Sequence, residues 1–178
     1  MKRPTLWAWV DPLNRALGQL SSALVLISTV LVFIVVLWRY LLDGGSVALQ
    51  EAGVWLHAAA FLLAAAWTLR LDGHVRVDVL YQSFTPRRKA WVEIIGGVLL
   101  LIPFCVFVIV TSWPYVEASW AVYERSPETG GLPGLFLLKS LIPIAGISLL
   151  LQALAQVLDA IVSLRTTAEL TDQWRSVH

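Results

Sequence analysis

The chain has 178 residues, of which 58% are hydrophobic and 14% are charged, and its formal net charge is +1. A soluble domain carries about 25% charged residues, so the composition excludes an ordinary soluble domain. The net charge gives no indication of a nucleic-acid partner. A single cysteine, Cys105, excludes an intrachain disulfide.

Four apolar blocks reach the ~20 residues that a helix needs to cross a ~30 Å hydrocarbon core. They cover residues 17–38, 47–69, 91–113 and 134–158. In lipid the backbone must satisfy its own hydrogen bonds, so blocks of this length without alternation indicate helices and not barrel strands. We therefore predict an all-α integral membrane protein whose residues 1–178 form a single four-helix domain. Tryptophans at the block ends support these limits, as expected for indoles in the headgroup region: Trp38, Trp67, Trp91 and Trp113.

The first block follows a basic N-terminal segment. Its apolar run exceeds the 7–15 residues of a signal peptide core, so we interpret it as a retained membrane anchor. The next loop, residues 39–46, is short and contains the turn Asp43–Gly44–Gly45. This loop predicts an antiparallel hairpin of the first two spans.

The second loop contains a patterned segment. Gly73 is expected to end the second helix, and Val77, Leu80, Tyr81 and Phe84 then follow at helical spacing. This spacing predicts a short amphipathic helix on the cytoplasmic membrane surface. Residues 75–79 also alternate like a strand, but a lone strand there has no pairing partner.

The third loop is longer and the last two spans contain prolines. Val116, Trp120 and Tyr123 are spaced by four and three, which predicts that the third helix continues outward for a turn or two, before a rigid turn at residues 126–133. Pro103 and Pro143 are expected to kink the third and fourth helices. The tail after residue 158 is predicted to form a short solvated helix.

Lys and Arg residues alternate between the loops and so predict the topology. The first loop has only Arg39 and the acidic third loop only Arg125, whereas the N-terminal segment and the second loop are basic. Both termini are therefore predicted to be cytoplasmic and the third loop external. The basic residues that carry this argument are Lys2, Arg3, Arg15, Arg70, Arg76, Arg87, Arg88 and Lys89.

Few ionisable groups fall within the spans. Glu51, Glu93 and Lys139 lie near span ends, from which long side chains reach the interface. His57 is deep in the second span, but it lies about 120° from Glu51 on a helical wheel and has no second intramembrane histidine for a haem. We interpret it as a packing or helix–helix hydrogen-bonding residue. No phosphate loop, cysteine ligand pair or nucleophile elbow is found, so we predict no catalytic residue, metal or cofactor and no enzymatic activity.

Several runs in the chain resemble a known family. Ala48–Ala52, Ala65–Arg70 and Asp72–Val79 resemble the small (DctQ-like) membrane subunit of tripartite ATP-independent periplasmic (TRAP) transporters. The similarity extends from about Leu31 to Leu158. Four further runs resemble its mannitol/chloroaromatic-type branch: Ser112–Val116, Ser126–Glu128, Gly130–Pro133 and Lys139–Pro143.

The resemblance implies a bacterial inner-membrane subunit of a three-component importer. Its partners would be a large permease subunit, which moves an organic acid or related solute with a sodium gradient, a periplasmic substrate-binding protein, and membrane lipids. On this basis we expect Glu51 to make a polar contact to the large subunit. A second group is expected to hold the cytoplasmic loop against headgroups or that subunit: Arg70, His74, Arg76 and Asp78. A third group is expected to dock the binding protein: Glu117, Trp120, Glu124 and Glu128.

Two other functions remain open at this point. A self-contained homo-oligomeric channel or small transporter predicts a polar stripe along a span and activity when reconstituted alone. A membrane enzyme or redox subunit predicts paired histidines, a cysteine pair or a catalytic cluster.

Overall fold

The computed structural model of the chain describes residues 10–71, 73, 81 and 83–177, with side chains as far as residue 166. Within these ranges it contains four long helices: α1 (Val10–Leu41), α2 (Val47–Arg70), α3 (Pro86–Ala121) and α4 (Leu135–Val177). All four include segments long and apolar enough to cross a membrane. The all-helical fold with four spans is therefore confirmed.

The helices are longer than the apolar blocks, except for α2. Helix α1 begins seven residues before its block and α3 continues beyond residue 113 to Ala121, as the spacing of the third loop predicts. The tail after residue 158 continues α4 and does not form a separate short helix. Once the apolar part has formed a helix, further residues join its ends easily, because propagation of a helix is easier than nucleation.

The hydrogen bonds at the ends of the helices are those that the local sequence favours. The Ser46 side chain accepts a hydrogen bond from the Leu49 N–H at 3.4 Å and caps α2, and Thr85 caps α3 directly before Pro86. Beyond α2 the Gly73 N–H donates to the Thr68 carbonyl at 2.9 Å, so the chain turns away where Gly73 predicts it.

The third helix is irregular near its middle. Residues Gly97–Leu101 form a π-helical turn, closed by a hydrogen bond from the Ile102 N–H to the Gly97 carbonyl. Pro103 follows directly, and a proline ring collides with the carbonyl four residues earlier, here that of Leu99. The wider π-helical turn gives the proline ring room and so avoids this collision. Pro143, the other predicted kink site, lies within α4.

Helix α2 packs between α1 and α4, and α3 packs against α4. The buried positions in α2 and α4 are mostly small: Ala60, Ala66, Ala145, Ala153, Ala155 and Ala160. Lipid tails are as apolar as leucine, so membrane helices associate through close van der Waals contact, which small side chains permit. In the order α1–α2–α4–α3, these small residues lie at the contacts between the helices.

The hydroxyl groups in α1 are satisfied by helices. Ser21 donates to the Leu17 carbonyl and Thr29 to the Val25 carbonyl, each at 2.8 Å, while Ser28 donates to the Gly53 carbonyl of α2 at 2.8 Å. These hydroxyl groups therefore bond to their own helix or to a neighbouring one.

The predicted surface helix in the second loop lies largely outside the described residues. At its described end, the Tyr81 hydroxyl donates to Glu93 at 2.7 Å, and the rings of Tyr81 and Phe84 lie 6.4 Å apart.

Candidate functional site

The candidate site is the loop between α3 and α4, residues 122–134, together with the helix ends that hold it. Its backbone is closed by a hydrogen bond from the Ser126 N–H to the Leu132 carbonyl at 3.1 Å and by an isolated bridge between Arg125 and Pro133. Tyr123, with φ 45°, and Gly130, with φ 80°, are in the left-handed region where the chain reverses. The loop therefore has a defined shape.

Glu51, near the start of α2, anchors this loop. Its carboxylate accepts one hydrogen bond from the Ser126 hydroxyl and another from the Leu132 N–H at 2.8 Å. Gly131 lies so close that a Cβ there would come within 2.8 Å of the carboxylate. The structure thus gives Glu51 partners within this chain, and its predicted contact to a large subunit stays a prediction.

A second anchor joins the loop to α4. Glu124 forms an ion pair with Lys139 and accepts a hydrogen bond from the Ser119 hydroxyl at 2.6 Å. Only 12% of the Lys139 side chain is exposed, and its ammonium lies 4.1 Å from the centre of the Tyr115 ring. The hydrogen bond from Lys139, with that from Ser119, lowers the pKa of Glu124 below its ordinary value.

Trp120 is held by α4 yet remains accessible. Its indole N–H donates to the Ser140 hydroxyl at 2.8 Å and its ring stands edge-on to Phe136, with centroids 4.5 Å apart. The residue is 43% exposed. It also lines an open groove of about 400 Å³ with Glu117 and Pro143.

The four residues predicted to dock a binding protein thus differ in how exposed they are. Glu117 and Glu128 are exposed and Trp120 is partly exposed, whereas Glu124 is turned toward Lys139. Glu117, Trp120 and Glu128, with the loop backbone between them, are called the outer surface below. Sequence reasoning missed the part that Glu51 and Lys139 play in holding it, although both stood out as charged residues near span ends.

We expect the Glu124–Lys139 contact to weaken in acid. A carboxylate whose folded pKa is lowered stabilises the fold fully above its ordinary pKa, about 4.3, and this contribution is lost as the pH falls through the folded pKa. Thermal unfolding midpoints of the wild type and Glu124→Gln, measured from pH 7 to about pH 3, are expected to differ at neutral pH and converge in acid. Glu128→Gln, which changes an exposed carboxylate, is the control. A difference that does not change with pH would contradict the assignment.

At the opposite end of the helices, Arg70 joins α2 to α1. Its Nε lies 2.9 Å from an Asp11 carboxylate oxygen, and its guanidinium lies 4.9 Å from the centre of the Trp67 ring. His74, Arg76 and Asp78, predicted to act with Arg70, lie outside the described residues. The contact of this group with headgroups or a large subunit stays a prediction.

The same end contains a buried amide pair that the sequence does not reveal. The Asn14 Nδ2 group of α1 donates to the Gln152 Oε1 atom of α4 at 2.6 Å, and both residues are buried. The one asparagine and one of the six glutamines, 138 residues apart, carry no signal that would pair them. The contact ties α1 to α4 directly.

The remaining candidate metal and redox residues lie apart from the loop. Among the described residues, no group of three or more His, Cys, Asp or Glu side chains comes together to hold a metal ion. Cys105 is buried in α3, and His57 is exposed on α2. The charged side chains with the contacts described above hold helix ends and the third loop.

Comparison with known proteins gives one match. Residues 28–163 match the family model described as "Tripartite ATP-independent periplasmic transporters, DctQ component". The matched segment includes Glu51, the third loop, all of α2 and α3, most of α4 and the second part of α1. No curated protein and no solved structure gives a significant match.

Proposed function

The chain belongs to the DctQ family, the small membrane component of tripartite ATP-independent periplasmic transporters, and on this premise we propose how it serves such a transporter. It is a multi-pass protein of the bacterial inner membrane. It packs against the scaffold of the large permease subunit and helps to dock the periplasmic substrate-binding protein. Its termini are cytoplasmic and the outer surface faces the periplasm.

The structure of the third loop carries this proposal. Glu51 and Lys139 hold the loop from two different helices, so the outer surface is ordered before any partner arrives. A preformed surface avoids the cost of ordering a loop on binding. Trp120 supplies a partly exposed aromatic ring, which is a common anchor in protein interfaces, and Glu117 and Glu128 supply negative charge.

The helices support a static role for this subunit. Serines and threonines inside the spans bond to backbone carbonyls, and the buried contact faces are lined by alanine and glycine. Such faces favour rigid helix packing. Substrate and ion sites are accordingly assigned to the large subunit, with a sodium gradient as the driving force.

The substrate class rests on the sequence runs described above. Their resemblance to TRAP transporters, which usually import organic acids, favours an organic acid or related small solute. The family is a transporter component family, and this subunit is assigned no reaction.

The first experiment is purification of the tagged subunit from its native membranes in mild detergent, with mass spectrometry of what accompanies it. A large polytopic subunit in stoichiometric amount is the expected result. Uptake in vesicles should then need all three components. A homo-oligomer that transports solute when reconstituted alone would replace this proposal with a self-contained channel or small transporter.

Removal of the two exposed carboxylates tests docking. Glu117→Gln with Glu128→Gln is expected to weaken binding of the substrate-loaded binding protein several-fold at low salt, with less effect at high salt. Binding to the purified complex in nanodiscs measures it. Asp43→Asn removes a charge from the first loop at the same end of the helices, and asparagine tolerates the φ of 49° there. An equal loss of binding in Asp43→Asn would show that docking depends only on the net charge of the subunit.

A further inference from the structure

Helix α2 exposes a single narrow stripe of side chains. Of its 24 residues only five are exposed, and they are spaced by three, four, three and four: Val47, Gln50, Val54, His57 and Phe61. We call these five residues the α2 seam. The remainder of the helix is buried or half-buried against α1, α4 and the third loop.

The spacing of the seam is that of a surface that receives another helix. Alternating steps of three and four residues repeat every 3.5 residues, which is the period of a seam that stays in contact with one partner helix. By contrast, most positions of α1 are exposed, on several sides of the helix. Such a broad apolar surface suits lipid, whereas the α2 seam has the width of one helix.

The middle of the seam contains a histidine in the centre of the span. His57 follows Val47 by ten residues, so it lies about 15 Å along the helix and far from either end. Among the described residues it has no hydrogen-bond partner. Ionisable residues within spans almost always face protein or a water-filled cavity, because hydrocarbon offers them no hydrogen bond.

Exposed threonines in the spans do not have this problem. Thr29 of α1 and Thr111 of α3 are exposed, and each hydroxyl bonds to a carbonyl of its own helix. The His57 imidazole makes no such bond to a described residue. His57 therefore indicates that the α2 seam, at the depth of the hydrocarbon, contacts another protein.

We propose that one transmembrane helix of the large subunit packs along the α2 seam and places a hydrogen-bonding group opposite His57. This inference rests on the proposed function and specifies where the large subunit binds. A second copy of this chain is a poorer occupant. In a two-fold pair His57 meets His57, and one hydrogen bond between two neutral imidazoles leaves one N–H and one ring nitrogen unpaired.

Photo-crosslinking tests the seam in the intact complex. Benzoylphenylalanine is placed at Phe61 of the seam, or at Phe33 of α1 or Phe107 of α3, which are similarly exposed at 61% and 63% against 75% for Phe61. An adduct with the large subunit from Phe61, and none from the two controls, is the expected result. A complex that purifies intact but gives no Phe61 adduct overturns the inference, as do adducts from all three positions or an adduct between two copies of this chain.

These outcomes are separate from failure of the proposed function. If no large subunit accompanies the chain at all, the proposed function fails and the inference fails with it. If the complex is intact, only the position of the contact is at stake.

Substitution of His57 tests the hydrogen bond. His57→Leu is expected to weaken retention of the large subunit by about three-fold to twenty-fold, the range that measured interhelical hydrogen bonds correspond to, and His57→Gln is expected to restore part of it. The unfolding midpoint of the isolated subunit should not fall in His57→Leu. Thr29→Leu, at an exposed position where the hydroxyl bonds to its own helix, should leave retention unchanged. Unchanged retention in His57→Leu, or a fall in the midpoint of the isolated subunit, overturns the inference.

Discussion

Glu51→Ala is expected to release the third loop from α2 and to destabilise the subunit by about 1.5–3 kcal/mol, the contribution typical of hydrogen bonds to a charged group. The substitution removes the acceptor for both the Ser126 hydroxyl and the Leu132 N–H. The unfolding midpoint measures the loss of stability, and trypsin cleavage after Arg125, an exposed residue of the loop, measures its release. Cleavage is expected to become faster.

Two variants give this experiment its controls. Glu51→Gln retains one acceptor oxygen and is expected to be intermediate, and Glu117→Ala removes an exposed carboxylate at the same end without touching the anchor. Faster cleavage in Glu51→Ala should be accompanied by weaker docking of the binding protein, because the outer surface loses its shape. Cleavage at the wild-type rate in Glu51→Ala would show that Glu51 does not hold the loop.

Gly18→Ala is expected to force α1 away from α2. A Cβ at this position would lie 2.5–2.7 Å from three ring carbons of Trp67, and these atoms are at the base of the indole and not at a flexible end. Overpacking of this kind costs about 1–3 kcal/mol, and the larger side chain of Gly18→Val should cost more. The unfolding midpoint in detergent is the measurement.

A matched control is available on α3. Gly96 is also helical, but a Cβ there meets nothing within 4 Å. Gly96→Ala should be neutral or slightly stabilising because alanine is the better helix former. A displaced Trp67 would also lose its contact with Arg70, so Gly18→Ala should disturb the Arg70–Asp11 pair. Equal midpoints for Gly18→Ala and Gly96→Ala would contradict the close approach of α1 and α2.

The sequence predicted the number of spanning helices correctly because apolar length alone controls insertion into a bilayer. Three of the helices extend beyond their apolar blocks. Ser46 and the Thr85–Pro86 pair marked helix starts through local hydrogen bonding and backbone geometry, which need no tertiary information. The spacing of Val116, Trp120 and Tyr123 likewise indicated that α3 extends outward. The π-helical turn before Pro103 was not predicted, because a proline signals a disturbed helix and not the form the disturbance takes.

The candidate site was predicted only in part. Glu117 and Trp120, near the end of α3, and Glu128, on the third loop, are accessible, and their role in docking stays a prediction. Glu124 was grouped with them because all its neighbours along the chain are loop residues, but in the structure it pairs with Lys139 across 15 positions. The pairing depends on how the end of α3 returns to α4, which no local pattern records.

The composition and order of residues thus determine that this chain is a four-helix membrane protein, since each span must satisfy its own backbone in lipid whatever its neighbours do. Only the tertiary structure decides which residues of each span meet. The Glu51 anchor spans 75 and 81 positions, the Asn14–Gln152 pair spans 138, and the exposure of His57 depends on α1 and α4 covering the other sides of α2. These features depend on which helices are neighbours, and apolar blocks of similar composition do not specify that order.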